Sequence, residues 1–170
     1  MTYTGASPTN FPTGSTTAHA SPAGDTTAYF TVGPTDGGPA SIALAQKANY
    51  FGFFTGSLDG HNLVQFYLNN AVVDAFTGTQ INQVAFPGAA TNGDRSRSTY
   101  VNYFPTSGTT QVFFDKVVYS SSDNAFETDN HTFGQATPEQ LGRVPEPGLI
   151  ALLGIAGFAL LASRRRQRRA

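Results

Sequence analysis

From residue 28 to residue 133 the chain is a succession of short β-rich runs, separated by Gly, Pro, Asn, Asp and Ser. They cover residues 28–32, 41–44, 50–54, 63–68, 72–77, 100–104, 112–120 and 125–133. Asn69-Asn70 stands between Tyr67-Leu68 and Val72-Val73, and Asn tolerates positive φ, so a tight hairpin is expected there. Leu63, Phe66, Leu68, Val72 and Phe76 supply facing apolar side chains around it. No stretch before Pro138 keeps a 3.6-residue apolar period over three turns. Eight short strands therefore predict an all-β fold, an antiparallel β-sandwich that is jelly-roll-like. Two segments break the pattern. Residues 1–27 are rich in Ser, Thr, Pro, Gly and Ala and are expected to form a loop or partly disordered arm. Residues 148–162 carry no polar side chain at all.

Composition sharpens this picture. The chain has 170 residues, enough for one domain with a real core and short for two. Only 12% are charged, whereas a helical bundle or coiled coil needs Glu and Lys in quantity. With 14 Phe, 7 Tyr and no Trp, the core has to be built largely from Phe. The absence of Cys removes disulfide scaffolds, thiolate zinc sites, iron–sulfur clusters and thiol nucleophiles. It is compatible with an exported protein that needs no oxidant.

Charge is distributed unevenly. Residues 1–144 hold ten acids against Lys47, Arg95, Arg97, Lys116 and Arg143, a net of 5 − 10 = −5. Residues 163–170 hold Arg164, Arg165, Arg166, Arg168 and Arg169 and no acid. The apolar run between them would make a helix roughly 22 Å long, short of the ~30 Å hydrocarbon thickness. Its flank compensates, because Arg side chains snorkel to headgroups and a cationic cluster is retained on the cytoplasmic side. The expected topology is a single C-terminal transmembrane helix with the sandwich outside and the Arg tail inside. Just before it, Pro145 and Pro147 bracket Glu146 and hold the chain extended, presenting the carboxylate to a partner.

Pro145-Glu146-Pro147, a short Gly/Ala/Leu helix and a terminal Arg cluster resemble the PEP-CTERM sorting signal of exosortase substrates, also known as the ice-binding protein C-terminal domain. The resemblance covers residues 144–170 and has all three parts in order. It implies a Gram-negative envelope protein, held in the inner membrane and recognised at Pro145, Glu146 and Pro147 by exosortase. It would then be released or transferred to the outer surface, as the enzyme's substrate and not itself an enzyme. Members of that family begin with a secretory leader; residues 1–10 have neither charge nor an apolar run, so a missing N-terminus is expected. Asn49-Tyr-Phe-Gly-Phe-Phe-Thr-Gly-Ser-Leu-Asp59, Phe66-Tyr67, Ala75-Phe-Thr-Gly78 and Asn124-Ala-Phe-Glu-Thr-Asp-Asn130 resemble a family of exosortase-dependent surface proteins. That likeness supports the sandwich and the envelope location and implies no activity.

The polar candidates for chemistry are Asp59, His61, Asp94, Glu127, Asp129 and His131. In one strand Glu127, Asp129 and His131 would share a face, which suits a metal or an acid/base pair and equally suits a solvent-facing strand edge. Without a second acidic strand or a Ser/His/Asp constellation, the edge is the expectation, with Phe126 packed inside. A pocket holding Glu127, Asp129 and a further acid would instead point to an enzyme. Asp129-Asn130 resembles the calcium position near the last strand of carbohydrate-binding jelly rolls. Asp129 would supply one ligand, with carbonyls and Asp25 or Asp36 adding others. A carbohydrate-binding module would use exposed aromatics such as Tyr67, Tyr103 or Tyr119 on exopolysaccharide or another glycan. Ice binding needs Thr at regular spacing along stacked strands, and here Thr clusters in residues 1–27. Nothing supports nucleic-acid or nucleotide binding: no Gly-rich loop joins a strand to a helix, and the Arg tail adjoins a membrane helix. The expected organisation is an arm at 1–27, a sandwich at 28–136, a linker at 137–144 and the sorting signal at 145–170. The expected function is that of an exported surface or extracellular-matrix protein.

Overall fold

A computed structural model describes residues 2–6 and 10–141. The sorting motif, the apolar run at 148–162 and the Arg tail lie outside them. Residues 1–137 form one compact unit. A second unit begins at Pro138, and its described part is a single-turn helix over Pro138–Leu141. Among the described residues, no helix is long and apolar enough to cross a membrane.

The first unit is all-β and antiparallel. In chain order its elements are β1 (Thr2–Thr4), β2 (Phe30–Val32), β3 (Ala40–Ala48), β4 (Tyr50–Thr55), β5 (Asn62–Leu68) and β6 (Ala71–Thr77). Helix α1 (Gly78–Ala85) follows, then β7 (Tyr100–Tyr103), β8 (Thr106–Ser107), β9 (Thr110–Gln111), β10 (Phe114–Ser121) and β11 (Phe126–Gly134). Among the described residues, one sheet runs β1-β3-β10-β5-β6, a second runs β2-β11-β4-β7, and β8 and β9 pair as a small hairpin. Each of the eight expected runs overlaps one of these strands.

The two larger sheets share one core. Ile42, Val64, Phe66, Val117 and Tyr119 enter it from the first, and Phe30, Val32, Phe51, Phe53 and Phe126 from the second. Phe51 stacks on Phe53 at 4.8 Å and meets Phe66 edge-on at 5.7 Å, so ring contacts cross between the sheets. A fully buried Phe stabilises a fold by about 1.5–3 kcal/mol, which makes this cluster the main source of cohesion. The Asn69-Asn70 turn has φ of 52° and 66°, the geometry that suits Asn, and it joins β5 to β6, pairing Leu68 with Ala71 and Tyr67 with Val72 before the register shifts at Phe66.

Three expectations need correcting. The segment at 1–27, expected as a loop or partly disordered arm, contributes a paired strand and buried residues where it is described. Thr2–Thr4 pairs with Ser41–Ala43, Asn10 and Ala20 are buried, and the Asn10 amide donates to the Thr31 carbonyl at 2.6 Å. Its backbone is also bonded locally, Thr16 N–H donating to the His19 carbonyl at 2.9 Å, and Tyr29 N–H donates to the Pro12 carbonyl at 3.2 Å. Second, α1 is a genuine helix of eight residues. Thr77 and Gln80 close a capping box, with Gln80 N–H donating to Thr77 Oγ1 at 3.3 Å and Thr77 N–H to Gln80 Oε1 at 2.8 Å. Two turns are too short for periodicity to register, and the cap alone marks the start. Third, the last strand is no edge: β11 lies between β2 and β4.

Candidate functional site

Four segments converge at one end of the sheets. The β4–β5 connection brings Ser57, Asp59 and His61, and the α1–β7 connection brings Asn92 and Arg95. The β10–β11 connection brings Asp123 and Asn124, while β11 itself contributes Glu127. Together with Thr17, Ala18 and Ala20 from the N-terminal segment they line an open cavity of about 300 Å³. Close approach explains two glycines, Gly93 in its wall and Gly56 next to Ser57. A Cβ on Gly56 would lie 2.7 Å from the Glu127 Cβ and 2.9 Å from the Ala20 carbonyl oxygen. A Cβ on Gly93, whose φ is +65°, would lie 2.7 Å from Asp59 Oδ2.

Glu127 is the chemical centre of the cavity wall. It is 1% exposed, and its carboxylate accepts from the Ala20 amide at 2.7 Å and the Ser57 hydroxyl at 2.9 Å. Burial pushes its pKa up to about 7, and those two hydrogen bonds restrain the rise. Burial also raises Asp59, whose Oδ2 stands 3.9 Å from His61 Nε2. That is too far for a hydrogen bond, and the buried Nε2 has no partner among the described residues.

The other expected site residues are dispersed. Asp94 accepts from the Ser96 amide and hydroxyl at 3.0 and 2.7 Å and pairs with Arg97 at 3.0 Å, so it organises an exposed turn. Asp129 opens with Asp25 and Asn130 on a separate cavity of about 310 Å³. There burial raises Asp129, with Asp25 adding to the rise. Burial acts upward on Asp25 too, but the Thr27 hydroxyl and amide, donating to its Oδ1 at 2.7 and 2.8 Å, hold it below its ordinary value. Asp36 is elsewhere: it is buried and contacts His19 Nε2 at 2.9 Å, fastening the N-terminal segment.

Glu127, Asp129 and His131 do not share a face. Register slips between Asp129 and Thr132, and Asn130 takes a φ of 53°. This bulge turns His131 inward, against the rings of Phe30, Phe51 and Tyr119. Its Nδ1 lies 2.9 Å from the Tyr3 hydroxyl and its Nε2 2.9 Å from the Thr128 hydroxyl. Burial lowers its pKa to about 4. The three tyrosines form no row either. Tyr119 is fully buried, Tyr103 donates to Asp74 at 3.0 Å, and Tyr67 lies under Lys116 Nζ at 4.6 Å.

Reading the chain for strand faces missed Ser57, Asn92, Arg95, Asp123 and Asn124. They sit in connections, and only the topology brings those connections together. The one available signal was the density of Asn, Asp and Gly in the 92–95 and 121–124 turns. Among the described residues, no group of three or more His, Asp or Glu side chains is arranged to hold a metal ion. No family model matches the sequence, and neither a curated protein nor a solved structure is significantly similar to it.

Proposed function

We propose that this chain is an exported surface or extracellular-matrix protein, sorted by exosortase and carrying a non-enzymatic β-sandwich ectodomain. The observation that carries the reading is the order of features at its end: Pro145-Glu146-Pro147, then fifteen apolar residues at 148–162, then five Arg within 163–170. The apolar run anchors the protein in the inner membrane with Arg inside, and processing at the motif sends it outward. Strand order supports a jelly-roll ectodomain. With β2 to β7, β10 and β11 counted as one to eight, the sheets run 1-8-3-6 and 2-7-4-5, the order of two Greek keys wound together. Glu127 and Asp129 open on different cavities, which favours a binding or structural role over acid/base catalysis. The test is the intact mass of the protein, expressed from its native gene in its host with and without exosortase. Loss of the chain from the Pro145 region onward, only when exosortase is present, is the expected result. An unprocessed chain in both strains, fractionating with the inner membrane, would reduce the tail to a plain anchor and sink the sorting reading.

A second reading, a carbohydrate-binding module stabilised by calcium, is favoured by the adjacency of Asp25 and Asp129. Both carboxylates open on one cavity, and the buried Asp25 Oδ2 has no hydrogen-bond partner among the described residues, so the pair fits two of the six to eight oxygen ligands calcium takes. Adding millimolar calcium is then expected to raise the melting temperature by several degrees, and Asp129→Asn to abolish the rise. An equal response in wild type and variant removes calcium from that site.

A further inference from the structure

We infer that the cavity walled by Asp59, His61, Asn92, Arg95, Asp123 and Glu127 binds a single sugar unit, held by hydrogen bonds without aromatic stacking. The inference rests on the carbohydrate-binding reading and moves its site away from the tyrosines. Size comes first: about 300 Å³ is at the small end of ligand pockets and suits one ring, not a bundle of chains. Chemistry narrows the class. A sugar hydroxyl donates and accepts at once, so its site needs carboxylates beside amide, imidazole or guanidinium donors, and this wall has both.

Those groups are only partly used by the protein. Among the described residues, the Asp59 carboxylate accepts no hydrogen bond, although its own amide donates to Asn62 at 2.6 Å. The Arg95 guanidinium, with five N–H donors, makes one bond, to the Thr16 carbonyl at 3.2 Å. His61 Nε2 is buried and unpartnered beside them. Polar groups left without partners are costly to a fold, and the free positions on Asp59 and Arg95 are the ones a ligand hydroxyl would fill. Competing ligands fit less well. The three acids oppose an anion, the wall offers an apolar ligand only the methyls of Ala18, Ala20 and Ala125, and the side chains do not converge as metal ligands do. One side of the wall is held in shape by hydrogen bonds: Glu127 accepts from the Ser57 hydroxyl and from the Ala20 amide, which ties the N-terminal segment to it.

The test uses the full chain in a detergent without a sugar headgroup. Glucose, galactose, mannose and N-acetylglucosamine are each titrated in turn, with binding read by saturation-transfer NMR. At least one is expected to bind with a Kd of about a millimolar. Asp59→Asn and, separately, Asn92→Ala are expected to weaken it at least about tenfold, while Tyr67→Ala leaves it unchanged. Asn92 is exposed, so its variant keeps the test alive should Asp59→Asn disturb the fold. Binding that survives both cavity substitutions but is lost in Tyr67→Ala would overturn the cavity and leave the carbohydrate reading standing. No binding of any of the four sugars by the wild type would overturn both.

Discussion

Glu127→Gln is expected to stabilise the protein by about 3 kcal/mol at pH 8 and to change it little at pH 4. The folded-state pKa of Glu127 is raised from 4.5 to about 7. A carboxyl whose pKa is raised by folding contributes stability that is complete below pH 4.5. That contribution is lost as pH climbs through 7, because the folded protein then has to hold a buried charge. A gap of about 2.5 pH units corresponds to about 3 kcal/mol. Gln stays neutral throughout, its oxygen can still accept from the Ala20 amide, and its nitrogen can donate to the Ser57 hydroxyl. Melting curves from pH 4 to 8 should start together and diverge above pH 5, by roughly 10 °C at the top of the range. Two curves that stay parallel would mean that Glu127 is charged and well solvated at neutral pH. The cavity would then be wetter than its geometry allows.

How much of this was legible beforehand depended on what each residue's neighbours do. The Phe-rich runs announced themselves because burial in a sheet has a period of two, and a β-strand has no other way to hide Phe51, Phe53 or Phe66. The Asn69-Asn70 turn was legible for an equally local reason, the tolerance of Asn for positive φ. What failed was anything that depends on a shift of register. The bulge at Asp129–Thr132 inverts the faces of everything after it, so His131 enters the core where alternation from Glu127 would leave it outside. A shift between Phe114 and Lys116 likewise precedes the stretch that carries Tyr119 inward. Strand β1 was invisible because Thr2–Thr4 is short and lies at a sheet edge, its place set by Ser41–Ala43 and not by its own apolar content. The cavity lay deeper still: Asp59, Arg95 and Asp123 meet only after β5, β10 and β11 have been threaded through two sheets.

The buried imidazole of His131 sets the opposite pH dependence. Its pKa falls from 6.5 in the unfolded chain to about 4 in the fold. The unfolded chain therefore takes up a proton that the folded one refuses, and stability is lost as pH drops from 6.5 to 4, by about 3 kcal/mol in all. Over much of that interval Glu127 gains what His131 loses, so between pH 4.5 and 6.5 these two groups together should leave the wild-type melting temperature nearly unchanged. Removing one partner exposes the other. Glu127→Gln alone should melt lower with every step from pH 6.5 to 4, while Glu127→Gln combined with His131→Gln should lose the His131 part of that slope and keep only what Asp25, Asp59 and Asp129 contribute at the acid end. The folded protein gives the direct check: the His131 ring proton resonances, followed by NMR, should titrate near pH 4. A midpoint near 6.5 would mean that the ring reaches water. The neutral imidazole set between the Tyr3 and Thr128 hydroxyls, accepting from one and donating to the other, would then be wrong. With that midpoint in place, the bulge at Asn130 acquires a physical role, since it puts a titratable ring where only its neutral form can remain.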